Sequence, residues 1–152
     1  MKEILVKYHA DIDHIERISV GDWIDLRAAE DTWIPKGQMR MIPLGVSMKL
    51  PKGYEAHVVP RSSTYYRYGV MLANSFGVID NSYSGDYDIW HFPAVCIDPK
   101  EFRNGEMGSF IAKNTRICQF RIESRQPDDI MFTEVDHLDG VNRGGFGYTG
   151  TK

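Results

Sequence analysis

Turn-forming residues interrupt this chain every few positions, and the runs between them alternate apolar with polar residues and lack a helical period. "RICQFRIE" shows the pattern best: a strand there points Cys118, Phe120 and Ile122 to the core and Ile117, Gln119 and Arg121 away from it. The same reading gives strands at 4–8, 39–42, 45–50, 54–59, 70–73, 87–92, 108–112, 116–122 and 131–135. One segment, "SSTYYRYG", is instead expected to make one or two helical turns, capped by a serine and ended by Gly69. Many short strands with frequent turns predict an all-β sandwich or jelly-roll-like barrel.

A chain of 152 residues can bury a core as one domain, and a 42% hydrophobic content makes it globular. The barrel is expected over residues 1–140, with a glycine-rich tail at 141–152. "DGVNRGGFGYTGTK" holds five glycines in 14 residues and no apolar period, so alone it should be mobile. No run is long enough for a membrane span, and "MKEILVKYHADIDH" lacks the parts of a signal peptide. A cytoplasmic location with no membrane partner is expected. Cys96 and Cys118 sit among apolar neighbours and read as core thiols. Lys and Arg number 18 against 21 Asp and Glu, a net charge of −3, which argues against nucleic-acid binding by general basic attraction. A few aimed arginines still suffice for a small anion.

Five polar segments stand out, each with two readings. In "PRSS", Arg61 joins Ser62 and Ser63 at a helix start, a set suited to phosphate oxygens or simply a capped turn with a solvated arginine. In "RGGFG", glycines let the backbone approach a ligand, Arg143 brings charge and Phe146 can cover a flat ring; otherwise it is a loose tail. "RICQF" sets Gln119 on a strand, as a ligand contact or a solvent-facing residue. "IDL" holds Asp25 in an apolar frame, as a site acid or a turn acid. "GVIDNSYSG" looks like a tight hairpin carrying Asp80 and Tyr83. A partly desolvated aspartate there can serve as a base, or it is a turn residue beside a core tyrosine.

Taken in order, "IDL", "PRSS", "GVIDNSYSG", "RICQ" and "RGGFGYTG" resemble the five motifs of the trimeric dUTPases, from about Asp25 to Thr149. The Gram-positive bacterial and phage members are the most similar, through "EAHVVPRSS" and "YDIWHFPA". The resemblance implies a jelly-roll-like distorted β-barrel with one short helix, assembled as a homotrimer whose sites are shared between subunits. It implies hydrolysis of dUTP to dUMP and pyrophosphate, which limits uracil incorporation into DNA and supplies dUMP.

It also assigns roles. Asp80 would activate the water that attacks the α-phosphorus. Gly77, Val78 and Ile79 would line the deoxyribose pocket, and the Tyr83 ring would exclude a 2′-hydroxyl. Asn74 would read uracil. Arg61, Ser62, Ser63 and Gln119 would hold phosphates, with Ser62 on the leaving oxygen. Arg143 would clamp the γ-phosphate and Phe146 stack on uracil, with Gly145, Gly147, Tyr148 and Thr149 adding contacts from a closing lid. Mg²⁺ would sit on the triphosphate, its waters held by Asp25 in the outer shell.

Three features depart from the pattern. Tyr148 stands where serine is common. Residues 94–110 form a longer connection, expected as a surface loop with subunit or partner contacts. Trp90 and Phe92 are expected in the core or an interface, with a lesser role shielding the uracil pocket. Two rivals remain: a dCTP deaminase of the same fold, which needs a glutamate where this chain has Trp90, and a phage-type regulatory dUTPase that also binds a repressor-type protein.

Overall fold

The computed structural model describes residues 1–17, 20–147 and 150. In chain order its elements are β1 (Leu5–Tyr8), β2 (Ile24–Arg27), β3 (Thr32–Pro35), β4 (Met39–Pro43), β5 (Val46–Lys49), β6 (Tyr54–Pro60), α1 (Thr64–Tyr68), β7 (Val70–Leu72), β8 (Gly77–Ile79), β9 (His91–Cys96), β10 (Glu101–Arg103), β11 (Glu106–Ile111) and β12 (Arg116–Ser124). They form four antiparallel sheets, in the orders β1-β5, β10-β11-β3, β2-β12-β6-β8 and β4-β9-β7. The architecture is the nearly all-β, jelly-roll-like barrel that the strand pattern predicts. No helix among the described residues is long and apolar enough to cross a membrane.

One core joins the sheets. Trp90, Phe92, Phe120, Leu26, Ile34 and Ile42 are fully buried in it. The Trp90 and Phe120 rings meet edge to face at 5.4 Å, a geometry the ring quadrupoles favour. Cys96 and Cys118 are buried free thiols, as expected. Because Trp90 and Phe92 lie inside, neither lines an open pocket in this subunit.

The longest strand, β12, sits between β2 and β6 and carries the expected alternation with one correction. Its register to β2 shifts between Arg116 and Cys118. Such a bulge sets two consecutive residues toward one side, so Ile117 is buried with Cys118 instead of facing outward.

The helix ends as its sequence predicts. Gly69 adopts a left-handed φ of 65°, and its N–H donates to the Tyr65 carbonyl. A Cβ there would lie 1.6 Å from the Asp98 carbonyl oxygen, so no other residue fits without moving that loop. The helix start differs from expectation. Ser63 occupies the cap position with no side-chain cap bond. Thr64, the first helical residue, ties the segment before the helix to β12: its hydroxyl accepts from the Arg61 N–H at 2.9 Å and donates to the Ile117 carbonyl at 2.9 Å.

Three further expectations are corrected. Residues 94–110 are not a loose surface loop; β10 and β11 form a hairpin that pairs with β3. Asn104 (φ 49°) and Gly105 (φ 81°) supply the two positive dihedrals a tight turn of that hand needs. Residues 87–90 precede the strand that begins at His91, because 85–88 is taken up by a turn. Residues 131–135 form no strand, and Met131, Phe132 and Val135 are exposed. The sequence pattern does not mark β2, β3, β8 and β10.

Candidate active site

Two groups of polar residues lie at opposite ends of β6. The first gathers where β2, β12 and the start of α1 converge. Gln119 on β12 is opposite Asp25 on β2 and Val59 on β6. Even spacing along a strand puts Asp25 and Gln119 on the outer face, while Leu26, Cys118 and Phe120 point to the core. Arg61 reaches back from the loop after β6, and its Nε is 3.1 Å from Asp25 Oδ1. Arg116 Nη1 is 3.7 Å from the other carboxylate oxygen. Arg61 Nη1 also donates to the Arg116 carbonyl at 3.3 Å, and Gln119 Nε2 donates to the Pro60 carbonyl at 3.2 Å.

The result is an arginine fixed by an acid, with guanidinium donors still directed outward. A guanidinium carries five N–H groups, and two are accounted for here. Ser62 is exposed beside it, and Ser63 is half-buried. The Ser63 hydroxyl makes no cap bond to the helix start. A cleft lined by His14, Glu16, Asp25, Arg27 and Arg116 adjoins the group. Arg116 was not singled out as a site residue in the sequence, although it opens "RICQ". Only the bulge in β12 turns its side chain toward Asp25.

The second group follows β8. That strand pairs with β6, with Gly77 opposite Val58, Val78 opposite His57 and Ile79 opposite Ala56. The expected tight hairpin is therefore not a local one: β7 belongs to another sheet, with β9, and β8 returns to β6. Asp80 leaves β8, and its carbonyl accepts from the Tyr83 N–H at 3.0 Å, closing a turn. Asn81 Nδ2 ties that turn to the Pro51 and Tyr54 carbonyls at 2.8 and 2.7 Å. The Tyr83 hydroxyl donates to the Ile89 carbonyl at 3.1 Å, which holds its ring against the segment.

Val78, Asp80 and Tyr83 are exposed, so the partial desolvation expected of Asp80 is not present in this chain. The cause is topological: β8 is an edge strand, and its free side faces solvent. Asp80 lines a cleft of about 450 Å³ with Glu55, Asn81, Ser82, Arg125 and Asp128. Asn74 is exposed in the turn before β8. In the tail, Arg143, Gly145, Phe146 and Gly147 are exposed and touch neither group; Tyr148 and Thr149 lie outside the described residues.

Register fixes the separation. Asp80 lies level with Glu55, and Arg61 is six residues further along the β6 direction, about 20 Å at roughly 3.3 Å per residue. One phosphate cannot touch both groups of a single chain. The donor set also bears on metal. No three His, Cys, Asp or Glu side chains gather to hold an ion among the described residues. Asp25 keeps lone pairs beyond its two arginines, which suits holding water around a magnesium ion that is itself bound to phosphates.

A family model described as dUTPase matches residues 19–150. The SPbeta prophage-derived deoxyuridine 5′-triphosphate nucleotidohydrolase YosS of Bacillus subtilis (strain 168) is 50% identical, over 99% of both chains. Among solved structures, the dUTPase of Staphylococcus bacteriophage 80alpha, as a G164S mutant with dUpNHpp, has a TM-score of 0.78 at 18% identity, covering 99% of this chain and 100% of that one. Another structure of the phage enzyme, with dUPNHPP, has a TM-score of 0.77 at 18% identity and the same coverage, and is described with phage dUTPases that control transfer of virulence genes by a G protein-like mechanism. These structural likenesses bear on the fold. The sequence matches bear on the activity, and with four of the five motifs falling on two polar clusters of the right chemistry, they place this chain in the dUTPase family, whose members hydrolyse deoxyuridine 5′-triphosphate.

Proposed function

We propose that this chain hydrolyses dUTP to dUMP and pyrophosphate in sites that neighbouring copies complete, three to a homotrimer, so limiting uracil incorporation into DNA and supplying dUMP. The observation that carries the reading is the distance of about 20 Å between the Asp80 turn and the Arg61–Asp25–Gln119 group along β6. Each copy holds both halves of a site but cannot join them. A closed three-fold ring brings one copy's Asp80 to the next copy's Arg61, and repeats the contact until no half is left over.

In that arrangement Asp80 orients and deprotonates the attacking water at the α-phosphorus, as a positioned carboxylate base does. Arg61, Gln119 and the hydroxyls of Ser62 and Ser63 take the phosphate oxygens, with Ser62 on the leaving oxygen. Asp25 holds Arg61 in place and faces the waters of the magnesium ion. The ion, when bound, orients the triphosphate and neutralises charge. Val78 and Ile79 line the sugar pocket, and Tyr83, pinned to the Ile89 carbonyl, leaves no room for a 2′-hydroxyl. Asn74 reads the uracil edge. Arg143 and Phe146, exposed here, have their work when the tail closes over a site, Arg143 on the γ-phosphate and Phe146 on the base.

The exposed Met131, Phe132, Val135, Leu138 and Val141 support a tail seated on another copy, since apolar residues in such number gain by burial. A deaminase of the same fold is not favoured, because the position of its glutamate is the buried Trp90. Pyrophosphate release compared across dUTP, dTTP, dCTP and UTP tests the substrate: dUTP alone should turn over rapidly, and equal rates on UTP would remove the sugar-sensing role of Tyr83. Pull-down of a repressor-type protein with and without dUpNHpp tests a regulatory partner.

A further inference from the structure

The turn that follows Asp80 does not hold its position by its own bonds alone. Within it, the Gly85 N–H donates to Asp88 Oδ2 at 2.8 Å and the Asp88 N–H donates to the Gly85 carbonyl at 3.1 Å. These close the loop on itself but do not fix it to the barrel. Its first residues are anchored by Asn81. Its far end leans on the β1–β5 sheet, across a cleft of about 230 Å³ lined by Lys7, Ser47, Lys49, Ser84 and Asp86.

One buried group spans that seam. Ser47, on β5, is 3% exposed, and its hydroxyl donates to the Asp86 carbonyl at 2.9 Å. His9 Nε2 lies 2.8 Å from the Ser47 hydroxyl oxygen. A serine hydroxyl has one hydrogen, and the Asp86 carbonyl takes it. The contact from His9 must then be a donated N–H, which fixes the imidazole with its proton on Nε2. Neutral and protonated histidine both satisfy this, so the chain His9 → Ser47 → Asp86 has one direction. The other side-chain ties at this end are exposed ones: the pair between Lys7 and Asp86 at 3.5 Å, which contributes little, and the Tyr87 ring, 5.2 Å from Lys7 Nζ and 6.4 Å from the His9 ring.

We propose that Ser47, oriented by His9, is the positioning residue that sets the sugar-sensing ring. Tyr83 lies between the Asn81 anchor and the Asp86 anchor, with its hydroxyl bonded to Ile89 on the far side of the turn. If the Asp86 end lifts into the cleft, the ring gains room toward the sugar. Discrimination between deoxyribose and ribose therefore depends on a serine of another sheet that touches no part of the nucleotide. The inference rests on the reading of Tyr83 as the sugar sensor.

The test measures kcat/KM on dUTP and UTP for Ser47→Ala, His9→Leu, His9→Gln and, alongside, Tyr83→Ala. Losing one hydrogen bond should lower the dUTP-to-UTP ratio about five- to tenfold in Ser47→Ala and His9→Leu. Most of that change should come from better use of UTP. His9→Gln keeps an N–H donor and should restore the ratio, which a general loss of packing would not explain. If Tyr83→Ala lowers the ratio while Ser47→Ala and His9→Leu leave it unchanged, the inference is wrong and the Tyr83 reading stands. If Tyr83→Ala itself leaves the ratio unchanged, the sugar-sensor reading fails. Should Ser47→Ala fold poorly, the half-buried His9 pair decides the question: equal ratios for His9→Leu and His9→Gln overturn the proposal.

Discussion

Asp80 and Cys118 show how differently the chain treats its reactive groups. Asp80 follows an edge strand and shares its cleft with Glu55 and Asp128, with neither a salt bridge nor a side-chain hydrogen bond of its own among the described residues. Removing its charge costs the fold little and the reaction much. Asp80→Asn is expected to lower kcat by about 10²–10⁴-fold, the range for a general base, while calorimetric affinity for dUpNHpp stays near that of the unmodified chain. A variant with full turnover would leave Asp80 no role as base. Cys118 is the opposite case. Burial, with a smaller contribution from the Asp25 charge, pushes its thiol far above the ordinary range. The unfolded chain ionises this thiol near about 8.5, and the folded chain does not. The unfolded state is then the one favoured as pH rises, so this group's contribution to stability is intact below that value and declines above it. Urea midpoints measured from about pH 7 to 10 should fall at the upper end, and Cys118→Ala should flatten that part of the curve. Both thiols should resist alkylation in the folded protein.

The strands and their turns show what the sequence makes legible. The alternation of 116–122 and the left-handed Gly69 are local signals, because a strand face and a helix stop depend on neighbours in the chain. The bulge that buries Ile117 is not local; it arises where β12 must register with β2 on one edge and β6 on the other. Residues 131–135 have strand-like composition but no partner in this subunit, and composition cannot supply one. The site divides the same way. Each motif is contiguous, so Asp25, Arg61, Asp80 and Gln119 were legible one by one. Which of them meet depends on β6 register, and Arg116 became visible only through the bulge. Thr64 links these scales, joining the Arg61 backbone to that bulge through one buried hydroxyl. Thr64→Val should cost about 2–3 kcal/mol in urea unfolding, since it leaves a buried N–H and a buried carbonyl unpaired. It should also weaken dUpNHpp binding, because Arg61 moves with its backbone. Unchanged affinity would mean that Arg61 is held by Asp25 alone.

At the scale of the whole molecule, the fold keeps the Asp80 turn and the Arg61 group apart, the two halves of the proposed site. The barrel is rigid along β6, so no motion within one subunit closes a gap of about 20 Å between Asp80 and Arg61. The tail adds a third piece. Truncation before Arg143 should sharply reduce turnover on dUTP while the assembly keeps its mass by light scattering; loss of the assembly would make the tail structural instead. The sharing of sites is tested most directly by mixing. Chains carrying Asp80→Asn and chains carrying Arg61→Ala, each inactive alone, are unfolded together in equal amounts and refolded. If each site takes Asp80 from one copy and Arg61 from the next, about a quarter of the sites in randomly assembled rings are intact, and pyrophosphate release returns to about that fraction of the unmodified rate. If the mixture stays as inactive as its two parents, sites are not built across copies, and the proposed assembly of the active site is wrong.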